Sequence, residues 1–390
     1  MTIEGRSDAR QGAKIKLGMV GGGEGAFIGA VHRLAARMDD HYEFVAGALS
    51  STAEKSRRSG AALNLAADRI YDDYGSMAKA EAKRPDGIEA VAIVTPNNVH
   101  AGPTYAFLNA GIHVICDKPL TVSLAEAKKM QAAVEKSGRI FALTHNYTGF
   151  PLVRRMREMA QNGELGEIRL VHSEYPQDWL TVAAETMGNK GAEWRTDPKR
   201  SGAGGSLGDI GTHAYNLADF VTGLELSELS ADLTSFVPGR RLDDNAQITL
   251  RYANGARGAI WASQVAPGNE NGLMLRVYGT KGGVHWRQDN PNFMYWTPFE
   301  KSTRIVTRGG PDSGVAAARV TRVPPGHPEG YLECFACTYS EIALAIKAAR
   351  TGKKPPKGVF FPTIEDGVKG MAFVEAAVKS SKANGKWVKL

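Results

Sequence analysis

Cysteine is scarce in this sequence, which has three cysteines, Cys116, Cys334 and Cys337, in 390 residues. So small and odd a number argues against a disulfide framework. Cys334 and Cys337 form a C-x-x-C pair, but the segment ECFACTYSEIALAIKAA has helical spacing, which places both on one helix face. No second C-x-x-C and no C-x-x-H completes a zinc site. We therefore predict that both are apolar helix residues and that the protein holds no metal.

Long apolar runs are also missing, and none is long enough to span a membrane. The first residues, MTIEGRSDARQGAKIK, are charged and lack the apolar core of a signal peptide. We expect a frayed tail over residues 1–13, a cytoplasmic location and no membrane partner.

A basic stripe is the third absence. The formal net charge is +7, but the basic residues are dispersed and no run interleaves them with aromatic residues. We therefore expect no nucleic-acid partner. A mild positive field attracts an anionic cofactor or an acidic substrate. It is equally typical of a solvated surface, which we favour.

The sequence does contain enough apolar residues for two folded domains. Its 390 residues exceed one typical core, and 43% hydrophobic with 23% charged residues is an ordinary globular composition. We place a dinucleotide-binding domain at residues 1–146 and a substrate-binding and oligomerisation domain at residues 147–390.

In the first domain, short apolar runs alternate with helical segments. The strand-like runs are KIKLGMVGGG, EFVAGALS, AVAIVTP, HVICDKP and RIFALTHNY. This alternation predicts an α/β fold, a doubly wound parallel sheet with helices on both faces. Ligands of such a sheet bind at the carboxyl ends of its strands.

The first strand ends in GMVGGGEGAFIGAVHR, where Gly21, Gly23 and Ala26 fit G-x-G-x-x-A. The glycines allow a tight turn and a close approach to a pyrophosphate, and the next helix offers free N–H groups. We assign Gly21, Gly23, Ala26 and Phe27 to cofactor binding. If EGAFIG is an insertion, Gly29 packs the helix against the sheet instead of Ala26.

The second strand, in FVAGALSSTAEKSRR, has no acidic residue at its tip for the adenosine ribose. Ser50 and Ser51 could instead donate hydrogen bonds to a 2′-phosphate. Lys55, with Arg57 or Arg58, could balance the charge of that phosphate. This pattern tolerates NADP and does not exclude NAD.

The third strand ends in TPNNVH. Thr95, Pro96 and Asn97 form a turn signal, and Asn97 can hydrogen-bond to the cofactor. His100 begins the next helix, either as a cofactor contact or as a helix-end residue. We include all four among the cofactor-binding candidates.

The fourth strand ends in HVICDKP. Pro119 has no N–H, so it ends the sheet ladder. Lys118 is thereby placed at the carboxyl edge, beside a bound nicotinamide. Because a lysine is rarely buried without a partner, Lys118 could hold a substrate hydroxyl and stabilise an alkoxide. Taken alone, it would more often be a lysine that extends from a strand end into solvent.

Past residue 147 the apolar residues alternate with polar ones. The alternating runs are EIRLVHSEY, LSADLTSFV, AQITLRYANGARGAIWASQVA, GLMLRVYGTKGGVHW and FMYWTPF. They predict a large, open, mostly antiparallel sheet. We expect one face to pack on helices and the other to pair with a second subunit in a homodimer or homotetramer.

Before these strands, a Gly/Ser loop leads into a helix that carries Asp209 and His213. Their i, i+4 spacing predicts one helix face. An imidazole with a pKa of about 6.5 suits a base that takes a hydroxyl proton as hydride leaves the same carbon. Asp209 would hold a neighbouring hydroxyl or orient His213.

The Gly-rich turn, TPNNVH, CDKP and GDIGTH together resemble the Gfo/Idh/MocA oxidoreductases, as do GHPEGY at 326–331 and the ending DGVKGMAFVEAAVKSS. The resemblance covers nearly the whole chain and is of the glucose–fructose oxidoreductase and inositol dehydrogenase type. It implies a Rossmann domain, an α/β domain with an open sheet, and NAD(P)-dependent oxidation or reduction of a hydroxyl on a sugar or polyol.

The resemblance also implies roles for individual residues. It makes Lys118, Asp209 and His213 the catalytic group and places Trp194 and Arg195 against the cofactor. The S-x-x-x-x-K spacing of Ser50 and Lys55 is similar to members that use NADP, which leaves the choice between NAD and NADP open. The residues implied to line the substrate pocket are Tyr147, Gln177, Trp179 and His327.

Two other functions compete with a sugar or polyol dehydrogenase. One is a glycosidase with tightly bound, recycled NAD+, acting through transient oxidation, elimination and hydration. For it, Arg195, Lys199 and Arg200 could hold an acidic group of the glycoside. The other is a cofactor-bound regulator without chemistry, which the intact Lys118, Asp209 and His213 argue against. The sequence does not identify the sugar, the oxidised carbon or the reaction direction.

Overall fold

Five parallel strands form the first sheet, in the order β2-β1-β3-β4-β5. The protein is represented by a computed structural model that describes residues 12–390. The strands are β1 (Ile15–Gly21), β2 (Tyr42–Ala48), β3 (Ala90–Val94), β4 (His113–Cys116) and β5 (Phe141–Leu143). The helices among them are α1 (Phe27–Met38), α2 (Ala53–Ala62), α3 (Tyr74–Glu81), α4 (Ala101–Asn109) and α5 (Leu124–Ser137). Every residue of β3, β4 and β5 is buried, as expected where helices cover both faces of a sheet. The predicted doubly wound parallel sheet is confirmed.

Nine strands form the second sheet, in the order β13-β12-β11-β10-β6-β9-β8-β7-β14. Its strands are β6 (Ile168–Pro176), β7 (Leu226–Thr234), β8 (Asn245–Tyr252), β9 (Arg257–Ser263), β10 (Met274–Gly279), β11 (Gly282–Arg287), β12 (Phe293–Pro298), β13 (Arg304–Thr307) and β14 (Val388–Lys389). Its neighbouring strands are antiparallel except β6 and β9, which are parallel. The predicted open, mostly antiparallel sheet is therefore confirmed.

The remaining helices follow β5. They are α6 (Pro151–Gln161), α7 (Lys190–Arg195), α8 (Pro198–Ser201), α9 (Thr212–Thr222), α10 (Gly314–Val320), α11 (Tyr331–Arg350) and α12 (Ile364–Lys382). Alternate residues of the central strands, such as Leu250 on β8 and Leu275 on β10, are buried in the core beneath the helices. The other face of these strands is partly open to solvent.

The last two helices return to the first sheet. α11 packs against α1, and α12 packs against α5 and β7. The backbone N–H of Leu143 in β5 donates to the carbonyl of Pro362, and the Tyr42 hydroxyl donates to the carbonyl of Tyr339. The proposed boundary at residues 146 and 147 thus separates the two sheets along the chain, while the C-terminal helices contact both.

Three features outside the site were also predicted. Of the predicted frayed tail, residues 1–11 lie outside the described residues. Within the described residues, no helix is both long and apolar enough to cross a membrane. The three cysteines are free and buried, and Cys334 and Cys337 lie on α11, as their helical spacing predicts.

Candidate active site

The carboxyl ends of β1, β3 and β4 meet at one edge of the first sheet, since all three strands are parallel neighbours. The glycine loop follows β1, the Thr95–Asn97 turn follows β3, and Asp117–Lys118 follow β4. The loop before α9 reaches the same edge, because Lys118 bonds to Asp209. The candidate site is therefore built from both halves of the chain.

The glycine loop has the tight backbone that the sequence predicts. Gly21 and Gly22 have φ angles of +79° and +71°, in the left-handed region that favours glycine. A Cβ at Gly23 would lie 2.6 Å from the carbonyl oxygen of Leu49. The loop thus packs directly against the end of β2, and only glycine fits at position 23.

The third small residue of the motif, where the helix packs closely on the loop, is Gly29 and not Ala26. A Cβ at Gly29 would lie 2.4 Å from Cα of Gly22, so α1 sits directly on the loop at this point. Ala26 is instead the N-cap residue of α1. The helix-packing role assigned to Ala26 in G-x-G-x-x-A is therefore corrected to Gly29, because the loop is longer than that motif.

This edge fits a dinucleotide. The N-terminus of α1, at Phe27, presents backbone N–H groups above the glycine loop, which suits a pyrophosphate. The Thr95 hydroxyl is buried and has no hydrogen-bond partner among the described residues, so a polar ligand atom would satisfy it. The Phe27 side chain is 74% exposed beside a cavity of about 500 Å³ lined by Gly23, Ser59 and Leu63.

The basic residues of α2 are mostly paired. Arg57 bonds to Asp72, and Arg58 bonds to Glu24 of the glycine loop with an Nε–Oε2 distance of 2.8 Å. Lys55 has no ion pair within 4.0 Å in the part of the chain that the structure describes. Ser50 and Ser51 follow β2 at the position where an acid would contact the adenosine ribose.

Two of the cofactor-binding candidates that follow the third strand form hydrogen bonds with backbone carbonyls of the protein. The buried His100 has Nδ1 3.0 Å from the carbonyl of Pro119 and Nε2 2.9 Å from that of Thr95. Its ring links the loops after β3 and β4, which favours a structural role for His100 over the alternative of a cofactor contact. Asn97 is buried, and its Nδ2 donates to the carbonyl of Ser201, 3.1 Å away.

Lys118 and Asp209 form the centre of the site. The lysine Nζ donates to Oδ1 of Asp209 at 3.0 Å and to its backbone carbonyl at 2.8 Å. The second carboxylate oxygen, Oδ2, accepts from Arg195 Nε at 3.2 Å and from Gln264 Nε2 at 2.9 Å. Arg195 also stacks on the Trp194 ring, at 4.2 Å from its centroid. One carboxylate thereby positions two cations.

Asp209 and His213 do not bond to each other among the described residues. Residues Leu207–Gly211 form a π-helical turn ahead of α9, a feature frequent at functional sites. The turn that carries Asp209 is thus wider than the α turn that the i, i+4 spacing assumes. Lys118 bonds to Asp209 and its charge also acts on His213, so both residues belong to the same site. His213 lies against His145, with 3.5 Å between their Nδ1 atoms.

Aromatic and amide side chains lie beside His213 and Asp209. The Tyr147 ring lies 4.8 Å from that of His213, and its hydroxyl hydrogen-bonds that of Tyr175. Trp179 Nε1 donates to Gln177 Oε1 at 3.0 Å, and Gln177 Nε2 donates to Asn271 at 2.8 Å. These contacts join Tyr147 to His213 and Gln177 to Trp179; that the three residues line a substrate pocket stays a prediction.

His327 is not brought into this group. It lies in an exposed loop, where its backbone N–H donates to the carbonyl of Pro324 and its carbonyl accepts from Arg308. Three residues that touch the site were missed from the sequence: His145, Gln264 and Asn271. The THNY run after β5 and the SQ pair after β9 were the only signals, and neither forms a motif.

Burial and the two cations set the charge states. Burial raises the pKa of Asp209, yet the charges of Lys118 and Arg195 outweigh it and leave that pKa well below the usual range. Burial lowers the pKa of His213 well below 6.5, and the charge of Lys118 and the neighbouring His145 lower it further. The site therefore holds a carboxylate, two cations and a neutral imidazole.

Two family models match this chain. Residues 15–145 match the oxidoreductase family with an NAD-binding Rossmann fold, and residues 153–285 match the GFO/IDH/MocA C-terminal domain. The uncharacterised oxidoreductase YfiI of Bacillus subtilis (strain 168) is 33% identical over 378 residues, which cover 96% of each chain.

Solved structures show the same architecture. An oxidoreductase from Sinorhizobium meliloti is 57% identical with a TM-score of 0.89, covering 97% of this chain and 100% of that one. An inositol dehydrogenase homologue from Azotobacter vinelandii, complexed with NADH and myo-inositol, is 34% identical with a TM-score of 0.90, covering 98% and 99%.

Proposed function

We propose that this chain, which belongs to the GFO/IDH/MocA oxidoreductase family, transfers a hydride between a nicotinamide cofactor and a hydroxyl-bearing carbon of a sugar or polyol. The observation that carries the proposal is the Lys118–Asp209 ion pair with His213 beside it, at the carboxyl edge of a Rossmann sheet. The complex of the Azotobacter vinelandii relative with myo-inositol supports a polyol as the substrate class.

Each residue has a part that its surroundings support. Lys118 would donate a hydrogen bond to the reacting hydroxyl oxygen and stabilise the developing alkoxide. Asp209 holds the ammonium of Lys118 in place through two hydrogen bonds. The neutral His213 would accept the hydroxyl proton. Bound nicotinamide supplies the hydride acceptor for oxidation and the hydride donor for reduction.

The cofactor would lie across the same edge. Gly21 and Gly23 leave room for its pyrophosphate, and the N–H groups at the start of α1 would hold the phosphate oxygens. Thr95 would donate from its unpaired hydroxyl. We propose NAD as the preferred form, because Glu24 of the glycine loop neutralises Arg58, which would otherwise be free to bind a 2′-phosphate.

The test is turnover on myo-inositol and a panel of sugars, polyols and aryl glycosides, with NAD+ and NADP+ in parallel. Accumulation of reduced nicotinamide is expected, and Lys118→Ala and His213→Ala should each lower kcat at least 100-fold, in line with loss of a positioned charge or base. Lys128→Ala, an exposed change on α5, is the matched control and should leave kcat unchanged.

Two outcomes would overturn the proposal. Full turnover in both Lys118→Ala and His213→Ala would remove these residues from the chemistry. Release of aglycone from the glycosides without net reduction of the cofactor would instead indicate the glycosidase with recycled NAD+. In the structure Arg195, one of the residues considered for an acidic glycoside, is bonded to Asp209.

A further inference from the structure

A second imidazole stands behind the proposed base. His145, directly after β5, is 2% exposed, and His213 on α9 is 6% exposed. Their rings meet edge to face with 5.3 Å between centroids, and their Nδ1 atoms lie 3.5 Å apart. Sequence reasoning gave His145 no role, and the roles proposed above make no use of it.

A hydrogen bond between two Nδ1 atoms constrains both tautomers. One Nδ1 must carry a proton and the other must offer a lone pair. When His213 is the donor, its Nε2 has the free lone pair that a base needs. When His145 is the donor, Nε2 of His213 carries a proton and suits a general acid. The pair therefore has one arrangement for oxidation and the opposite one for reduction.

A lone His213 would have difficulty holding a second proton. It is buried near Lys118, and no carboxylate of the described residues hydrogen-bonds to it. The oxygens of Asp209 are taken by Lys118, Arg195 and Gln264. The rings of Tyr147 and Tyr175 face His213 as well, and burial raises the pKa of both phenols, so neither supplies a negative charge.

The surroundings of His145 differ in one respect. Burial and Lys118 lower its pKa to about 3, but the carboxylate of Asp117 acts in the opposite direction. Asp117 is itself fixed, because its Oδ1 accepts from the Lys118 backbone N–H at 2.9 Å and from the Thr144 hydroxyl at 2.7 Å. A proton that moves from His213 to His145 thus moves towards a carboxylate.

We propose that His145 is a positioning residue that sets the tautomer of His213 and takes its Nδ1 proton while Nε2 accepts the proton of the substrate. This inference rests on the proposed function. In oxidation, the substrate O–H bond breaks and an N–H bond forms at Nε2 of His213, while the Nδ1 proton of His213 passes to Nδ1 of His145. The hydride leaves the same carbon with its electron pair for the nicotinamide.

The pair then returns to its starting state. After the step, His213 is neutral and His145 carries the positive charge beside Asp117. When product leaves, the proton goes back from His145 to Nδ1 of His213, and Nε2 of His213 releases its proton to water. No proton is gained or lost beyond the one taken from the substrate hydroxyl, and reduction follows the reverse order.

The first test counts protons in the hydride-transfer step. Single-turnover rates are measured with NAD+ and the best polyol of the panel in mixtures of H2O and D2O. A curved proton inventory is expected for the wild type, since two protons move. In His145→Asn the amide oxygen can still accept a hydrogen bond near the position of Nδ1, but it cannot take up a proton. Only one proton then moves, so the plot of rate against the fraction of D2O should become linear, and the rate should fall about tenfold. His145→Phe should lower the rate about 100-fold, with KM nearly unchanged in both.

The second test needs no turnover. Nitrogen-15 NMR of the histidine rings in the cofactor-bound protein should show neutral His145 and His213 in opposite tautomers near pH 7. In His145→Asn, His213 should remain an Nδ1–H tautomer. His172→Asn, on the outer face of β6, is the matched control and should change neither the rate nor the shape of the inventory.

The outcomes separate the two proposals. Absence of cofactor reduction by the wild type on every substrate would refute the proposed function. If the wild type turns over and His145→Asn keeps a curved inventory, or if both rings have the same tautomer, the relay is refuted and the dehydrogenase stands. Should His145→Phe fail to fold, His145→Asn alone decides.

Discussion

At the scale of single residues, the two carboxylate oxygens of Asp209 accept hydrogen bonds from different side chains. Oδ1 holds Lys118, the group proposed to meet the reacting hydroxyl, while Oδ2 holds Arg195 and Gln264. Because Arg195 also stacks on Trp194, the carboxylate connects the proposed reacting group to the end of α7. Loss of this carboxylate would therefore release a cation on each side of the site.

Glu24 is the residue on which we expect the cofactor preference to depend. In Glu24→Gln, a negative charge beside the end of β2 disappears and Arg58 loses its ion-pair partner. A 2′-phosphate would then meet a free guanidinium, so kcat/KM for NADP+ should rise about tenfold while that for NAD+ changes little, a difference of about 1.4 kcal/mol. Steady-state kinetics with both cofactors at low salt measure it.

Asp72→Asn is the matched control for Glu24→Gln. It frees Arg57 from a similarly exposed pair, but one that involves no residue of the glycine loop. We expect it to leave the NADP+ to NAD+ ratio unchanged. If the ratio of kcat/KM for NADP+ to that for NAD+ were equal in Glu24→Gln and the wild type, the 2′ position of the adenosine would lie away from Arg58.

The residues named from sequence fall into two groups. Lys118 and Asp209 meet as the motifs predict, because each stands at a strand or helix end that faces the cofactor edge. His145 and Gln264 could not be found this way. They come from the ends of strands in different sheets, and the contact of Gln264 with Asp209 exists only once both sheets are packed.

At the scale of elements, a histidine joins two strands of the first sheet. The backbone N–H of Ile140, just before β5, donates to Nδ1 of His113 at the start of β4, over 2.9 Å. That nitrogen must keep its lone pair. Burial, with a contribution from Arg139, accordingly lowers the pKa of His113 to about 4.

This pair makes the unfolding free energy depend on pH. An unfolded histidine has a pKa of about 6.5, so between about pH 6.5 and 4 the unfolded chain binds a proton that the native state does not. Stability is then lost as the pH falls through this window. In His113→Asn, whose amide oxygen keeps an acceptor, the loss between about pH 7 and 4 should be smaller by on the order of 2 kcal/mol.

Urea unfolding followed by tryptophan fluorescence measures this difference. The remaining histidines and the carboxylates titrate in both proteins, so the comparison isolates His113. If the wild type and His113→Asn gave parallel curves of unfolding free energy against pH, His113 would bind a proton equally well in the native and unfolded states, and the prediction would be wrong.

The elements themselves were largely predictable. The parallel strands of the first half have apolar runs bounded by helical spacing, and the second sheet shows period-two alternation with Asn-Gly and Gly-Gly turns. The short strands β13 and β14 were missed, since four and two residues are too few for a periodic signal. The π-helical turn at Leu207–Gly211 was missed because its residues also suit an α-helix.

At the scale of the whole molecule, the outer face of the second sheet is expected to meet a second copy. Leu170 on β6 and Tyr278 on β10 are cross-strand partners on that face, 43% and 40% exposed. Apolar pairs of this size at the centre of an open sheet favour burial against a like surface. We propose this face as the dimer or tetramer interface.

Sedimentation velocity tests the interface. Leu170→Glu with Tyr278→Glu would place two carboxylates in it and should shift the protein to a smaller species at the same concentration. Lys128→Glu on the exposed side of α5 is the control and should sediment like the wild type. An unchanged oligomer in the double variant would locate the contact elsewhere.

The return of the C-terminal helices has a consequence for synthesis of the chain. The Leu143 N–H finds its partner only at Pro362, and the buried face of α1 meets α11 through contacts such as His32 with Phe335. At about 5–20 residues per second, a ribosome needs roughly 10–40 seconds to synthesise the chain between Leu143 and Pro362. During that interval the first sheet emerges with its edge and one helix face open to water. The nascent chain, more than the finished protein, is therefore the form in which aggregation must be prevented.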